Sequence, residues 1–285
     1  MNPYYQLVSE YARFKTEGKS YPLGDFPMLT RVSIPTKAPK ALIFAPHPDD
    51  ECIIGGLALR LLRQSRWHIV DVAVTQGSNK DRQAARWEEL QNACNYIGFD
   101  LTRTIPNGLE RINPKTRAAD TTHWQQCVQV VANLLTQHQP RIIFFPHEHD
   151  WNSTHIGTHL LVMDALKTLP ATFQCYVVET EYWGQMTSPN LMVESSIEDV
   201  SDLVTATSYH VGEVTRNPFH LLLPAWMQDN VRRGSELVGG QGQTAPDFAF
   251  ATLYRLRKWA GGKLEEAQSG GRYLPAGADP LKLFP

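Results

Sequence analysis

Residues 41–56 read ALIFAPHPDDECIIGG. The apolar run Ala41 to Ala45 has the composition of a buried strand, and within a few residues of its end stand His47, Asp49, Asp50 and Glu51. Neighbouring carboxylates repel one another, and a solvated loop gains little by placing them at the mouth of a core strand. A metal ion, a proton-transfer site, or both explain the pattern.

Working outward, short apolar runs alternate with longer helical patterns. A helix is expected over Ile53–Leu62, a strand over His68–Val74, and an amphipathic helix over Asp81–Ile97 with apolar points at Ala85, Leu90, Ala93 and Ile97. A long helix at about 122–137 leads into the strand of residues 141–145. A helix at 153–169 and a strand at 173–178 follow. Strands separated by helices of this length indicate right-handed βαβ crossovers, so the expected fold is α/β, three-layered and Rossmann-like, with a mainly parallel sheet. Residues 1–35 read as an N-terminal extension, 36–260 as the main domain, and the Gly- and Pro-rich residues 261–285 as an irregular arm.

The 285 residues carry a net charge of −2, with 20% charged side chains, which excludes the electrostatic footprint of a nucleic-acid or membrane-surface binder. Cys52, Cys94, Cys127 and Cys175 are far apart and form no C-x-x-C pair, so they read as reduced thiols of a cytoplasmic protein. No export signal and no apolar run long enough for membrane insertion is present, and the sequence says nothing of oligomeric state.

In open α/β sheets ligands bind beyond the carboxyl ends of the strands. Five of the ten histidines, His47, His147, His149, His155 and His159, fall in the windows after the apolar runs at 41–45 and 141–145.

The stretch APHPDDECIIGG resembles the signature of the PIG-L/LmbE-like zinc-dependent N-deacetylases. Thr75-Gln-Gly77 resembles that family's T-x-G element, Arg86-Trp-Glu-Glu89 its R-x-x-E pattern, Asn152-Ser-Thr-His155 stands at its H-P-D-H motif, and Ala245–Leu256 is similar to its closing segment. The resemblance implies a hydrolase that removes acetyl groups from N-acetylglucosamine conjugates, with Zn2+ or another divalent ion as cofactor and a small N-acetylated amino sugar as partner.

The chemistry agrees with that resemblance. His47 and Asp50, three apart on a turn, can reach one ion, and Asp49 between them is free to face a water as general base. His155 supplies the third ligand, completing the triad that the resemblance also implies; its bland reading is a helix-surface histidine. His155 and His159 both ligating is a second arrangement, with His159 otherwise part of the pocket wall. Substrate contacts are expected from Arg86, Asn152, Tyr182, Trp183 and His159, although Arg86 could instead pair with Glu89 or orient the loop. His147 and His149 stand between site and solvated loop. Asn152 and Thr154 occupy places where the family often has His and Asp, so either Asp49 performs both proton transfers or a histidine such as His149 or His210 supplies the acid. The alternative function is a non-hydrolytic sugar-binding protein with a vestigial metal site. A dinucleotide-binding domain would need a G-x-G-x-x-G turn after the first strand, and Gly55-Gly56 lies too deep for that.

Overall fold

The computed structural model describes residues 2–285. Its centre is one twisted sheet in the order β3-β2-β1-β4-β5-β7-β6-β9, with β8 paired to β7. The strands are β1 (Lys40–Ala45), β2 (His68–Ala73), β3 (Asp100–Arg103), β4 (Ile142–Pro146), β5 (Cys175–Thr180), β6 (Leu191–Ser195), β7 (Phe250–Ala260), β8 (Lys263–Glu266) and β9 (Arg272–Leu274). Strands β3, β2, β1, β4 and β5 run parallel, as the βαβ pattern requires. The long strand β7 is antiparallel to β5, β6 and β8.

The helices are α1 (Pro3–Gly18), α2 (Asp50–Ile53), α3 (Gly56–Ser65), α4 (Gln83–Ile97), α5 (Pro114–Ala119), α6 (Thr121–His138), α7 (Ser153–Thr168), α8 (Ile197–Ser208), α9 (Val211–Arg216) and α10 (Leu223–Leu237). One face of the sheet buries Leu57, Leu61, Leu90, Ile97, Leu203 and Met227. The other buries Val128, Val131, Leu135, Leu161 and Val162 from α6 and α7. Helices on both faces explain why β1, β4 and β5 are apolar without alternation: neither side of these strands meets water.

Two expectations are corrected. The helix expected over Ile53–Leu62 is broken into α2 and α3 at Gly55, whose φ is +61°. The backbone groups freed by the break are taken up by the buried hydroxyl of Tyr254 on β7, which donates to the Ile54 carbonyl and accepts from Leu57 N–H at 3.3 Å. Residues 261–285 are not an irregular arm: they add β8 and β9 to the sheet and bury Leu274, Leu283 and Phe284. Their carbonyls are gathered by the buried guanidinium of Arg60, which donates to Leu274, Pro275, Ala276 and Ala278. A tail poor in apolar side chains is thus ordered by a cation three-quarters of the chain away in sequence, a device that periodicity does not show.

Among the described residues, no helix is long and apolar enough to cross a membrane.

Candidate active site

The strand order reverses between β1 and β4, whose helical crossovers leave on opposite sides. Such a switch point opens a crevice at the carboxyl ends of the two strands. His47 and Asp50 follow β1, and His155 lies in the first turn of α7 after β4.

These three side chains converge. His47 Nδ1 is 3.2 Å from His155 Nε2 and 3.3 Å from Asp50 Oδ2, and His155 Nε2 is 3.2 Å from the same oxygen. A tetrahedron with edges of that length has its centre about 2.0 Å from each corner, the bond length of zinc to imidazole nitrogen or carboxylate oxygen. The donor set of two imidazoles and a carboxylate suits zinc, and three such ligands leave a fourth position open. Asp50 Oδ1, the second oxygen of the converging carboxylate, is buried without a hydrogen-bond partner. The residues therefore fit a divalent metal ion, and this group can hold one.

The surrounding electrostatics follow from burial and charge. Desolvation alone would raise the Asp50 carboxyl, but the charges and hydrogen bonds of His155 and His47 outweigh it and hold Asp50 well below the usual carboxylate range. Burial opposes protonation of His155, yet Asp50 and Asp150 push it up to about 10 in the metal-free protein. Burial is the main cause that lifts the Asp49 carboxyl well above its ordinary value, and the adjacent Asp50 charge adds to it.

Asp49 sits at φ +114°, a conformation that costs a non-glycine residue on the order of 1–3 kcal/mol. Its neighbours hold it there. Asp49 N–H donates to Glu51 Oε2 at 2.9 Å, and Glu51 Oε1 accepts from the buried His210 at 2.8 Å and from Cys52 at 3.0 Å. Glu51, Cys52 and His210 thus form a second cluster of potential ligands. It is closed by its own hydrogen bonds. Arg86 does not pair with Glu89; it donates to the Pro48 carbonyl at 2.8 Å and lies 3.8 Å from Asp49 Oδ2 and from Glu213 Oε1. Glu89 instead accepts from Gly212 N–H at 2.9 Å. Gly77, in the T-x-G turn, makes room for Arg86: a Cβ there would stand 2.3 Å from Nη1.

The remaining candidate residues divide into groups. Asn152 caps α7 by accepting from Thr154 N–H at 2.8 Å, which fixes the turn bearing His155. His159 is buried, bonded to the Pro146 carbonyl at 3.0 Å, with Glu179 at 3.6 Å. His147 donates to the Gly184 carbonyl at 2.7 Å, whereas His149 is exposed. Tyr182 is buried with its ring edge-on to His155, centroids 4.8 Å apart. Trp183 is 41% exposed and stands against Phe219.

Two cavities flank the site. A polar one of about 320 Å³ is bordered by His47, Thr75, Ser78, Gln83, Asn113 and Thr154. An apolar one of about 470 Å³ lies beyond Tyr182 and Ile53, bordered by Trp151, Trp183, Phe219 and Trp226.

With this geometry established, comparison with known proteins is specific. Residues 42–166 match the family described as PIG-L: GlcNAc-PI de-N-acetylase. They form a PIG-L family domain. No curated protein matches the chain. Among solved structures, an N,N'-diacetylchitobiose deacetylase from Pyrococcus horikoshii shares the fold with a TM-score of 0.56 and 17% identity, over 77% of this chain and 84% of that one. A conserved protein from Thermus thermophilus gives 0.53 and 18%, over 76% and 93%. A 4-carboxy-2-hydroxymuconate hydratase from Pseudomonas putida gives 0.56 and 14%, over 76% and 95%. The PIG-L domain spans β1 to α7 and so contains all three of His47, Asp50 and His155.

Asp150 is the residue that motif reading missed. Its buried carboxylate lies 3.5 Å from His155 Nδ1 and also accepts N–H groups of Asn152, Trp183 and Gly184. The one signal available in sequence was its place five residues before His155, in an acidic and histidine-rich loop.

Proposed function

We propose that the protein is a metal-dependent hydrolase that removes an N-acyl group, in the first instance acetyl, from an amino sugar or its conjugate. The reading is carried by the convergence of His47, Asp50 and His155 to 3.2–3.3 Å of one another within a PIG-L domain. The fold alone does not choose the reaction, since a hydratase shares it.

In this reading His47, Asp50 and His155 hold zinc, with other divalent ions as substitutes. A bound zinc ion acidifies water and polarises a carbonyl. Asp49 is the general base: it stands between the two ligands of the turn, and burial and the Asp50 charge raise its carboxyl above the ordinary value. It takes a proton from the attacking water and delivers it to the departing amine nitrogen. Asp49 performs both transfers because the alternative acids are engaged elsewhere: His210 is locked to Glu51, and His149 points to solvent. Arg86 and Glu51 act on the loop, holding Asp49 in its strained conformation. The polar cavity seats the sugar, with Ser78, Gln83 and Asn113 offering partners to hydroxyl groups. Tyr182 supports His155 from behind, and Trp183 walls the apolar cavity.

Zinc titration of metal-free protein by calorimetry, followed by a primary-amine release screen over N-acetylglucosamine conjugates, tests the reading. About one ion per chain and metal-dependent amine release are expected. Zinc uptake without amine release on any conjugate favours a sugar-binding protein, and no uptake ends the metal reading.

A further inference from the structure

The polar and apolar cavities stand on opposite sides of the metal-ligand triad. The polar one is built by residues 75–83 after β2 and 109–113 after β3, with Thr154 at its edge. The apolar one is built by residues 181–185 after β5, by the start of α10 and by the turn before it. In the sheet order β3-β2-β1-β4-β5 the ligands follow β1 and β4, so they lie between the two cavities.

The apolar wall starts beside the ligands themselves. Ile53 is three residues beyond Asp50 on α2, and the Tyr182 ring stands edge-on to His155 at 4.8 Å. Trp183 N–H donates to Asp150 at 3.2 Å, and Trp151 adjoins that aspartate in the chain. The chemistry of the wall selects its occupant. Both of its carboxylates are engaged: Glu181 accepts from Arg233 at 2.8 and 3.0 Å, and Asp229 from Arg232 at 2.7 Å. Among the described lining residues this leaves Gln185 as the free polar side chain. A second sugar ring would bring hydroxyl groups that such a wall leaves unpaired, and unpaired polar groups cost affinity. Trp151 is 79% and Leu222 43% exposed, so apolar surface stands ready for a ligand to cover. A volume of about 470 Å³ is that of a small-molecule pocket.

We propose that the apolar cavity binds the acyl group of the substrate, and that this group is a medium-length alkyl chain longer than acetyl. The inference rests on the hydrolase reading above and names the acyl group that reading leaves open. An amide has two sides. With the sugar in the polar cavity and the carbonyl carbon beside Asp49, the side away from the sugar faces the apolar cavity, across Ile53 and Tyr182. The oxygen of water adds to the carbonyl carbon, the C–N bond breaks, and the amine nitrogen takes the proton that Asp49 carried. The chain then departs as a carboxylic acid. An acetyl group would leave the apolar cavity unused.

Zinc-loaded protein is assayed for primary-amine release from glucosamine carrying N-acetyl, N-butanoyl, N-hexanoyl or N-octanoyl groups. Burying a methylene gives about a fourfold gain, so kcat/KM should rise roughly 10²-fold from acetyl to hexanoyl. An octyl aglycone on N-acetylglucosamine should give no comparable gain. Leu222→Asp, at the exposed rim of the cavity, should flatten the series with the melting temperature unchanged. In metal-free protein N-hexanoylglucosamine should shift the tryptophan emission where N-acetylglucosamine does not, because Trp151, Trp183 and Trp226 line the cavity. A flat or falling series with acetyl released overturns this inference and leaves the hydrolase reading standing. A gain from the octyl aglycone equal to that from the acyl chain gives the cavity to the aglycone and overturns it as well. So does a tryptophan response that is equal for the two sugars, or a series that a folded Leu222→Asp leaves unchanged. Amine release from none of the four overturns the hydrolase reading, and this inference with it.

Discussion

Asp150 and His155 are both fully buried and face each other at 3.5 Å, the carboxylate toward Nδ1 of the imidazole whose Nε2 points at Asp50 and His47. A carboxylate in that place fixes the tautomer and ring orientation of a metal-binding histidine and raises its basicity. Asp150→Asn is therefore expected to weaken zinc binding about 10- to 100-fold, the usual cost of losing such a partner. Competition with a zinc chelator measures this, and an unchanged affinity would remove Asp150 from the site.

Asp49 separates activity from stability. Asp49→Asn should keep about one zinc per chain while turnover falls by roughly 10² to 10⁴. His155→Ala should lose metal and activity together. Asp49→Gly should be inactive yet raise the melting temperature, because glycine relieves the strain at φ +114°, a gain on the order of 1 kcal/mol. Loss of metal from Asp49→Asn with retention in Asp50→Asn would reverse the assignment of the two aspartates.

Gly77 and Arg86 should behave as one unit. A methyl group on Gly77 would press on the guanidinium at 2.3 Å and sit at φ +78°, so Gly77→Ala displaces the group that holds the Pro48 carbonyl. Each of Gly77→Ala and Arg86→Ala should lower kcat, and the double variant should be little worse than either single one. Fully additive losses in a double-mutant cycle would show that the two act independently.

The brace between α5, α6 and α7 should be visible in the pH dependence of unfolding. Burial pulls the Asp164 carboxyl upward, but hydrogen bonds from Arg117, Trp124 and Lys167 together outweigh it and hold the carboxyl below its ordinary value. A depressed folded-state value gives stability that is present above the unfolded value, near pH 4, and lost as pH falls through the folded one. Asp164 is partly exposed, so its contribution is discounted to about 1 kcal/mol. Urea unfolding of wild type and Asp164→Asn should differ by that amount at neutral pH and converge under acid. A constant gap across that range would exclude the linkage.

Much of the architecture could be read from local pattern. The apolar runs at 41–45, 68–74 and 141–145 are strands because both of their faces are covered, and the helices between them carry their apolar residues at helical spacing. The antiparallel β7, the two strands after residue 260 and the break at Gly55 were not readable, because each is stabilised by a partner remote in sequence: β5 and β6, Arg60, and Tyr254.

The candidate site shows the same division. Spacing alone brings His47 and Asp50 to one side of a turn, and the sequence by itself determined that Asp49 lies between them and that histidines crowd the loop after the fourth strand. Only the tertiary structure decided that His155 closes on His47 to 3.2 Å, that Asp150 stands behind it, and that Arg86 turns to the Pro48 carbonyl and away from Glu89. The physical reason is the sheet. Residues 108 apart in the chain become neighbours because β1 and β4 lie side by side at the reversal of strand order, and hydrogen-bond register across those strands leaves no trace in the local sequence of either.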